Sequence, residues 1–417
     1  MLIPTSEYEE RIESCQEFLQ RTGLQALLAY SDRRYAMGQG VEVGHNVRYY
    51  AGFRFPPEDI HEEAVVLPYQ KGEAIVVIPR DGEPALLICR TGEDLAKRQT
   101  WIRDVRSSAP DYLGDERITG LARMTRSVLE EHGVRGGKIG IAGAGVTWQL
   151  YDALVRLLPK ASFIGCTEDV DRMRMVKSDN ELKIMRKAAE IADAGVDALL
   201  ETAREGATEY EVHQAAEKAM LDAGGDNPWT VIMSGPRAFI SYLSPDYTQR
   251  QLKSGDMLHA DIGSEFAGYH SDIQPVAIVG RPRREQISLL ETNMKIIRAM
   301  IEATRPGVSD KKIVESALRA AHGEQFGERL RTDLFGHGYG VGVDPPNFTS
   351  GTLRKRSDEE IILKPNMVLC YEPGLFVPGV GGVAIEDEVV VTNDCCEVIS
   401  GCLSKAEKLY SKLQSLK

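Results

Sequence analysis

Apolar residues recur every three or four positions over residues 9–22, 115–132 and 147–158, the period of amphipathic helices. Between these stretches lie short apolar runs of strand length: Ala26–Tyr30, Glu63–Leu67, Ala74–Ile78, Pro84–Ile88 and Lys138–Ile141. The alternation predicts a mixed helix-and-strand domain over residues 1–165. The pattern changes at Asp171-Arg-Met-Arg-Met-Val-Lys-Ser178. Beyond it, longer helices are predicted at 178–203, 208–223, 284–304 and 309–323, in a second domain spanning 170–403. Thr208 and Glu211 are spaced as a capping box, with Ser309 as the corresponding cap. The tail, 404–417, places Ala406, Leu409, Leu413 and Leu416 at helical spacing and reads as a packed helix.

The second domain repeats itself. Arg204-Glu-Gly206-Ala-Thr208-Glu209 recurs as Arg305-Pro-Gly307-Val-Ser309-Asp310, each time between two long helices. Leu252-Lys253 through Leu258, Asp261 and Gly263 align with Leu363-Lys364 through Leu369, Glu372 and Gly374 at an offset of 111. With three residues added to that offset, Gly268 and Asp272 align with Gly382 and Glu386. Two copies of one helix–helix–strand–strand unit are therefore expected, each needing the other to close a core. One copy places Asp at both repeat positions and the other places Glu.

Charge and cysteine usage narrow the class. The 417 residues include 50 Lys plus Arg against 62 Asp plus Glu, a formal charge of −12. Such acidity argues against a nucleic-acid partner, which needs a basic face. No apolar run approaches the ~18 residues of a membrane span, so no membrane partner is expected. The first residues, MLIPTSEYEERIE, lack the basic flank and apolar stretch of a secretory signal. Seven cysteines without a C-x-x-C pair agree with a cytoplasmic location, and the vicinal Cys395 and Cys396 are expected to be buried small residues. Gly143-Ala-Gly145 lacks the third glycine of a dinucleotide loop and is not read as one.

The repeated carboxylates Asp261, Asp272, Glu372 and Glu386 all sit in apolar, strand-like surroundings. Buried carboxylates are costly unless paired or bound to a cation, and four converging ones cannot all stay ionised without a positive centre. His337, within Gly336-His-Gly-Tyr-Gly340, supplies a nitrogen donor. One imidazole among oxygen ligands suits Mn, Fe, Co or Zn. Four carboxylates exceed the needs of one ion, so two divalent ions about 3.5–4 Å apart are expected, a pair that lowers the pKa of a bridging water and polarises a carbonyl. Hydrolysis is the natural chemistry of such a centre.

The elements Asp261-x-Gly-x4-Gly-Tyr-x-Ser-Asp272, Gly336-His337-Gly-x-Gly, Glu372-Pro-Gly and Gly382-x3-Glu386-Asp resemble the pita-bread metallopeptidases. Met175-Val-Lys-Ser-Asp-Asn-Glu181 and Asn46-Val-Arg48-Tyr-Tyr-x-Gly-Phe53 are similar to the prolidase, aminopeptidase P and creatinase branch. The resemblance implies an α/β (α+β) chain, with a creatinase-type N-terminal domain before a pseudo-twofold pita-bread catalytic domain. It implies Asp261, Asp272, His337, Glu372 and Glu386 as metal ligands, with Asp272 and Glu386 bridging. It also implies a homodimer and cleavage of an amide bond in a dipeptide or small amino-acid-like substrate, as in an Xaa-Pro dipeptidase.

Two departures qualify that picture. Tyr242 stands where a related segment ends in His, and Asp344-Pro-Pro346 stands where the peptidases carry a second His seven residues after the ligand. Creatinase- or ectoine-hydrolase-like action on a small zwitterion is the alternative, with lyase chemistry of the dimethylsulfoniopropionate type or a retired protein-binding module further off. In the expected mechanism Glu372 shuttles a proton to the leaving amine while Tyr242 or His259 steadies the oxyanion. His259 lies two residues before Asp261 and so on the same strand face; support of a ligand is its competing reading. His270 stands in the same relation to Asp272. Asp344 is a candidate base or ammonium anchor, with a turn role as rival. Arg48, Arg54 and Arg237 are candidates for gripping a substrate carboxylate.

Overall fold

A computed structural model describes residues 2–32, 45–53, 73–88, 93–108, 116–143, 145–239, 248–350 and 360–414. The chain forms two compact units, divided between Met173 and Arg174.

The first unit is built on a mixed six-stranded sheet. Its strands are β1 (Ala26–Asp32), β2 (Glu73–Pro79), β3 (Ala85–Ile88), β4 (Asp104–Ser107), β5 (Gly137–Ala142) and β6 (Ala161–Gly165), in the order β4-β3-β2-β1-β5-β6. β1 runs antiparallel to β2 and parallel to β5. All seven residues of β2 are buried, which explains an unbroken apolar run where a half-exposed strand would alternate. Leu28, Ile75, Val77 and Leu87 of the sheet pack on Leu121, Val128 and Leu129 of the helix Glu116–Glu131. Short helices at Asn46–Ala51, Glu93–Gln99 and Thr167–Arg174 carried no clear periodic signal. The strand expected at 63–67 lies outside the described residues.

The second unit opens with helices Asp179–Thr202 and Glu209–Asp222, followed by β7 (Asp226–Ser234), β8 (Met257–Phe266), β9 (Tyr269–Ile273) and β10 (Val276–Ile278). A second helix pair, Arg284–Ala303 and Asp310–Ala321, leads into β11 (Gly336–Tyr339), β12 (Val343–Phe348), β13 (Val368–Tyr371), β14 (Gly374–Val377), β15 (Gly381–Ala384), β16 (Asp387–Val391) and β17 (Cys396–Val398). The repeat is visible in the hydrogen bonds themselves. Gly206 N–H donates to Leu252 O and Gly307 N–H to Leu363 O, both at 2.9 Å, and in return Leu252 N–H meets Ala207 O while Leu363 N–H meets Val308 O. The two halves share one core, in which Val196, Ile232 and Ile262 are continuous with Leu289, Ile296, Leu369 and Val389. An isolated antiparallel bridge between Gln274 and Glu386 joins the half-sheets beside the repeated carboxylates.

Three local readings need adjustment. Thr208 and Glu211 form the reciprocal capping box, but Ser309 occupies the matching cap position without a cap bond, its hydroxyl buried and unpartnered. Asp310, the first helical residue, accepts at Oδ1 from Lys311 N–H at 2.7 Å and from Ile361 N–H at 3.3 Å. Cys395 is exposed, in the tight connection between β16 and β17, while Cys396 opens β17 and is half-buried against the edge of the core, its Sγ donating to Ile301 O at 3.3 Å. The final helix runs from Cys402 to Gln414 and packs Cys402 and Ala406 into the second unit's core.

Candidate metal centre

Each sequence-predicted ligand is delivered by a strand or its end. Asp261 lies within β8, and Asp272 within β9 stands opposite Gly263. The two aspartates are therefore diagonal neighbours on one face of the β8–β9 pair. His337 lies in β11 between Asn347 of β12 and Cys370 of β13. Glu372 follows β13 directly, its N–H held by Phe335 O at 2.9 Å. Glu386 precedes β16, its N–H held by Gln274 O at 3.1 Å. The residue before the histidine has to be glycine. Gly336 has φ +146°, and a Cβ there would lie 2.0 Å from Cys370 O.

These side chains converge. Asp272, His337 and Glu386 each offer a ligand atom within 4.8 Å of the others. His337 Nε2 stands 3.6 Å from Asp272 Oδ2 and 3.8 Å from Glu372 Oε1. Burial, reinforced by the charges of Asp272 and Glu372, pushes the Asp261 and Glu386 carboxyls well above the usual carboxylate range. Burial also raises Asp272 to about 6, against the lowering influence of His337. Asp261 Oδ1, Asp272 Oδ1 and both oxygens of Glu386 are buried with no hydrogen-bond partner. Such acceptors are costly to leave unmet. Unmet acceptor oxygens gathered with one imidazole suit divalent cations.

The surrounding residues hold this geometry. Glu372 Oε2 accepts from Gln274 Nε2 at 3.0 Å and from Arg331 Nη2 at 3.1 Å. Glu388 accepts from Ser271 Oγ at 3.0 Å and from Asp272 N–H at 3.2 Å, tying β9 to β16. Neither Arg331 nor Glu388 announced itself in the sequence. Gln274 had a signal, since it lies two residues beyond Asp272 and shares its strand parity.

Other candidates are placed elsewhere or differently. His259 is buried, with Nε2 2.9 Å from Gln274 Oε1 and its ring edge-on to Phe376. Burial lowers its pKa to about 4. His270 is also buried, its N–H donating to Gly340 O at 3.0 Å. Asp344 is fully buried, with Oδ1 3.0 Å from Arg174 Nε and Oδ2 2.9 Å from Lys177 Nζ. Both oxygens are engaged by cations, which makes Asp344 a structural anion rather than the open base or ammonium anchor expected. Arg237 is paired with the buried Glu209 at 2.5 Å. Arg48 is half-buried in the first unit's helix Asn46–Ala51. Arg54 and Tyr242 lie outside the described residues.

Comparison with known proteins accords with this geometry. Residues 183–393 match the model of metallopeptidase family M24, and residues 11–176 match the creatinase/prolidase N-terminal domain. An Xaa-Pro dipeptidase of Pyrococcus horikoshii is 31% identical over 262 residues, covering 61% of this chain and 72% of that protein. An uncharacterised peptidase of Bacillus subtilis, YqhT, is 29% identical over 277 residues, 66% of this chain and 75% of the relative. Among solved structures, an Xaa-Pro dipeptidase from Bacillus anthracis superposes with a TM-score of 0.76 at 23% identity, covering 94% of this chain and 97% of that one. The prolidase from Pyrococcus horikoshii gives 0.74 at 24%, covering 94% and 98%. The chain thus belongs to metallopeptidase family M24, a family of hydrolases, and carries that family's creatinase/prolidase N-terminal domain. Among the described residues no helix is long and apolar enough to cross a membrane.

Proposed function

We propose that this protein is a dinuclear-metal-dependent dipeptidase that cleaves the amide bond of an Xaa-Pro-like dipeptide, working as a homodimer. The observation that carries the reading is the set of unpartnered buried oxygens on Asp261, Asp272 and Glu386 facing His337 and Glu372. Asp261, Asp272, His337, Glu372 and Glu386 would hold the ions. Bound there, two divalent ions supply a polarised carbonyl and an acidified water. Glu372 contributes the proton transfer: Oε2 is anchored by Gln274 and Arg331, and Oε1 turns toward the centre. Oε1 accepts the proton released by the attacking water and returns it to the leaving nitrogen. The name of the Pyrococcus horikoshii relative, an Xaa-Pro dipeptidase, supports a dipeptide substrate.

Asp344 stands where the related peptidases carry a further histidine, and the loss of that histidine, not any free charge on the ion-paired Asp344, favours a second reading, hydrolysis of a small zwitterion. Side-by-side assays on Xaa-Pro dipeptides and small zwitterions separate the two. The purified chain should contain about two divalent ions, and Asp272→Ala should lose ions and activity together. A fully active, metal-free preparation would overturn both readings.

A further inference from the structure

Among the described residues, one buried side chain close to the metal centre has no ligand role and an unmet polar atom. His259 is 1% exposed, and its Nδ1 is buried without a hydrogen-bond partner. Its Nε2 meets Gln274 Oε1 at 2.9 Å, while the Nε2 of the same Gln274 carboxamide meets Glu372 Oε2 at 3.0 Å. A carboxamide has one donating and one accepting end. A carboxylate accepts only, so the NH2 end must face Glu372 and the oxygen must face His259. An oxygen there requires a proton on His259 Nε2, which leaves Nδ1 bare and accounts for its lack of a donor role. His259 Nε2–H is thus committed to Gln274 and is not available to a substrate oxyanion.

We propose that His259 and Gln274 are positioning residues for Glu372, acting as one chain, His259 → Gln274 → Glu372. The imidazole prevents the carboxamide from turning over, and the carboxamide, with Arg331, fixes Oε2 so that Oε1 alone faces His337 at 3.8 Å. Backbone geometry supports the assignment. Gln274 is bridged through its own N–H and C=O to Glu386, so it touches both glutamates of the C-terminal repeat from the N-terminal one. Its side chain sits at the seam that must stay closed for the five ligands to remain in register.

The inference rests on the metal reading above, and Co2+ affinity tests it without needing any substrate. Calorimetric titration of the apo chain would compare wild type with Gln274→Met, His259→Phe, the double variant and His259→Gln. Hydrogen-bonded supports of metal ligands typically contribute 10–100-fold in affinity. Gln274→Met and His259→Phe are each expected to weaken binding by about 10–100-fold, and the double variant by no more than the worse single one. His259→Gln puts an amide N–H2 where Nε2 stands and should restore affinity to within about threefold of wild type. Wild-type affinity in His259→Phe, additive losses in the double variant, or failure of His259→Gln to rescue would each overturn the proposal. Should His259→Phe not fold, His259→Gln against the shorter His259→Asn decides, equal affinities overturning it. A wild-type chain that binds no Co2+ overturns the metal reading as well, whereas wild-type binding with unaffected variants overturns this inference alone.

Discussion

Ionisable side chains in this protein are buried on very different terms. Asp344 is buried between two cations, whereas Asp261, Asp272 and Glu386 are buried with oxygens that no hydrogen-bond donor meets. Glu217, away from the centre, is buried on weaker terms. Burial raises its pKa to about 7, with only Thr230 opposing the shift. Its neighbour His213, 3.4 Å away, is lowered by burial, so the pair is held toward neutrality rather than as an ion pair. The raised folded pKa sets the sign: protonated Glu217 is tolerated below the unfolded value near 4.5, and a penalty accrues as pH rises through about 7. Glu217→Gln is therefore expected to match wild type near pH 4.5 and to exceed it at pH 8 by about 1–2 kcal/mol after solvent screening. Denaturant unfolding at the two pH values checks this, and an unchanged pH profile would refute it. None of this is visible from a single Glu in a helical pattern, because desolvation depends on what packs above it.

At the scale of elements, the segment Arg174–Lys177 is joined to β12 by the buried contacts of Asp344. Gly340 leaves room for them, since a Cβ there would come 2.9 Å from Lys177 Cε and 3.1 Å from Asp344 Oδ2. Removing the anion would leave two buried cations uncompensated, the costliest way to break such a cluster. Asp344→Asn should lose about 3 kcal/mol in urea unfolding, and Lys177→Met less, because Arg174 still answers the carboxylate. Equal and negligible losses would mean that the cluster does not support β12. The sequence marked Asp344 as unusual for its position, yet the role expected of it differed, since Arg174 and Lys177 are about 170 residues distant in the chain. Helix positions were more legible. The four long helices lie within a residue or two of the periodic pattern, whereas the helix Glu93–Gln99 buries a single residue and had no stripe to read.

Across the whole molecule, two halves of the second unit with one continuous core meet at a cluster of acceptors, so ions held there would link binding to the stability of that unit. Ions that bind the native state alone stabilise it by mass action, by about 3 kcal/mol at a free concentration near 100 times Kd. Stripping the ions with a chelator should lower the melting temperature of the second unit, and Mn2+ should restore it; equal melting curves with and without chelator would contradict this. Much of the architecture was legible in the chain itself. A repeat at an offset of 111 residues, helical periodicity and carboxylates in matched apolar settings together predicted two copies of one unit and five candidate ligands, of which Asp272, His337 and Glu386 offer ligand atoms within 4.8 Å of one another. Those features are local or self-referential, so a linear pattern carries them. Only the tertiary structure decided which polar groups answer which: Gln274 and Arg331 for Glu372, Glu388 for Asp272, and Arg174 with Lys177 for Asp344. Hydrogen bonds between side chains remote in sequence follow from packing of the strands and leave no periodic trace along the chain.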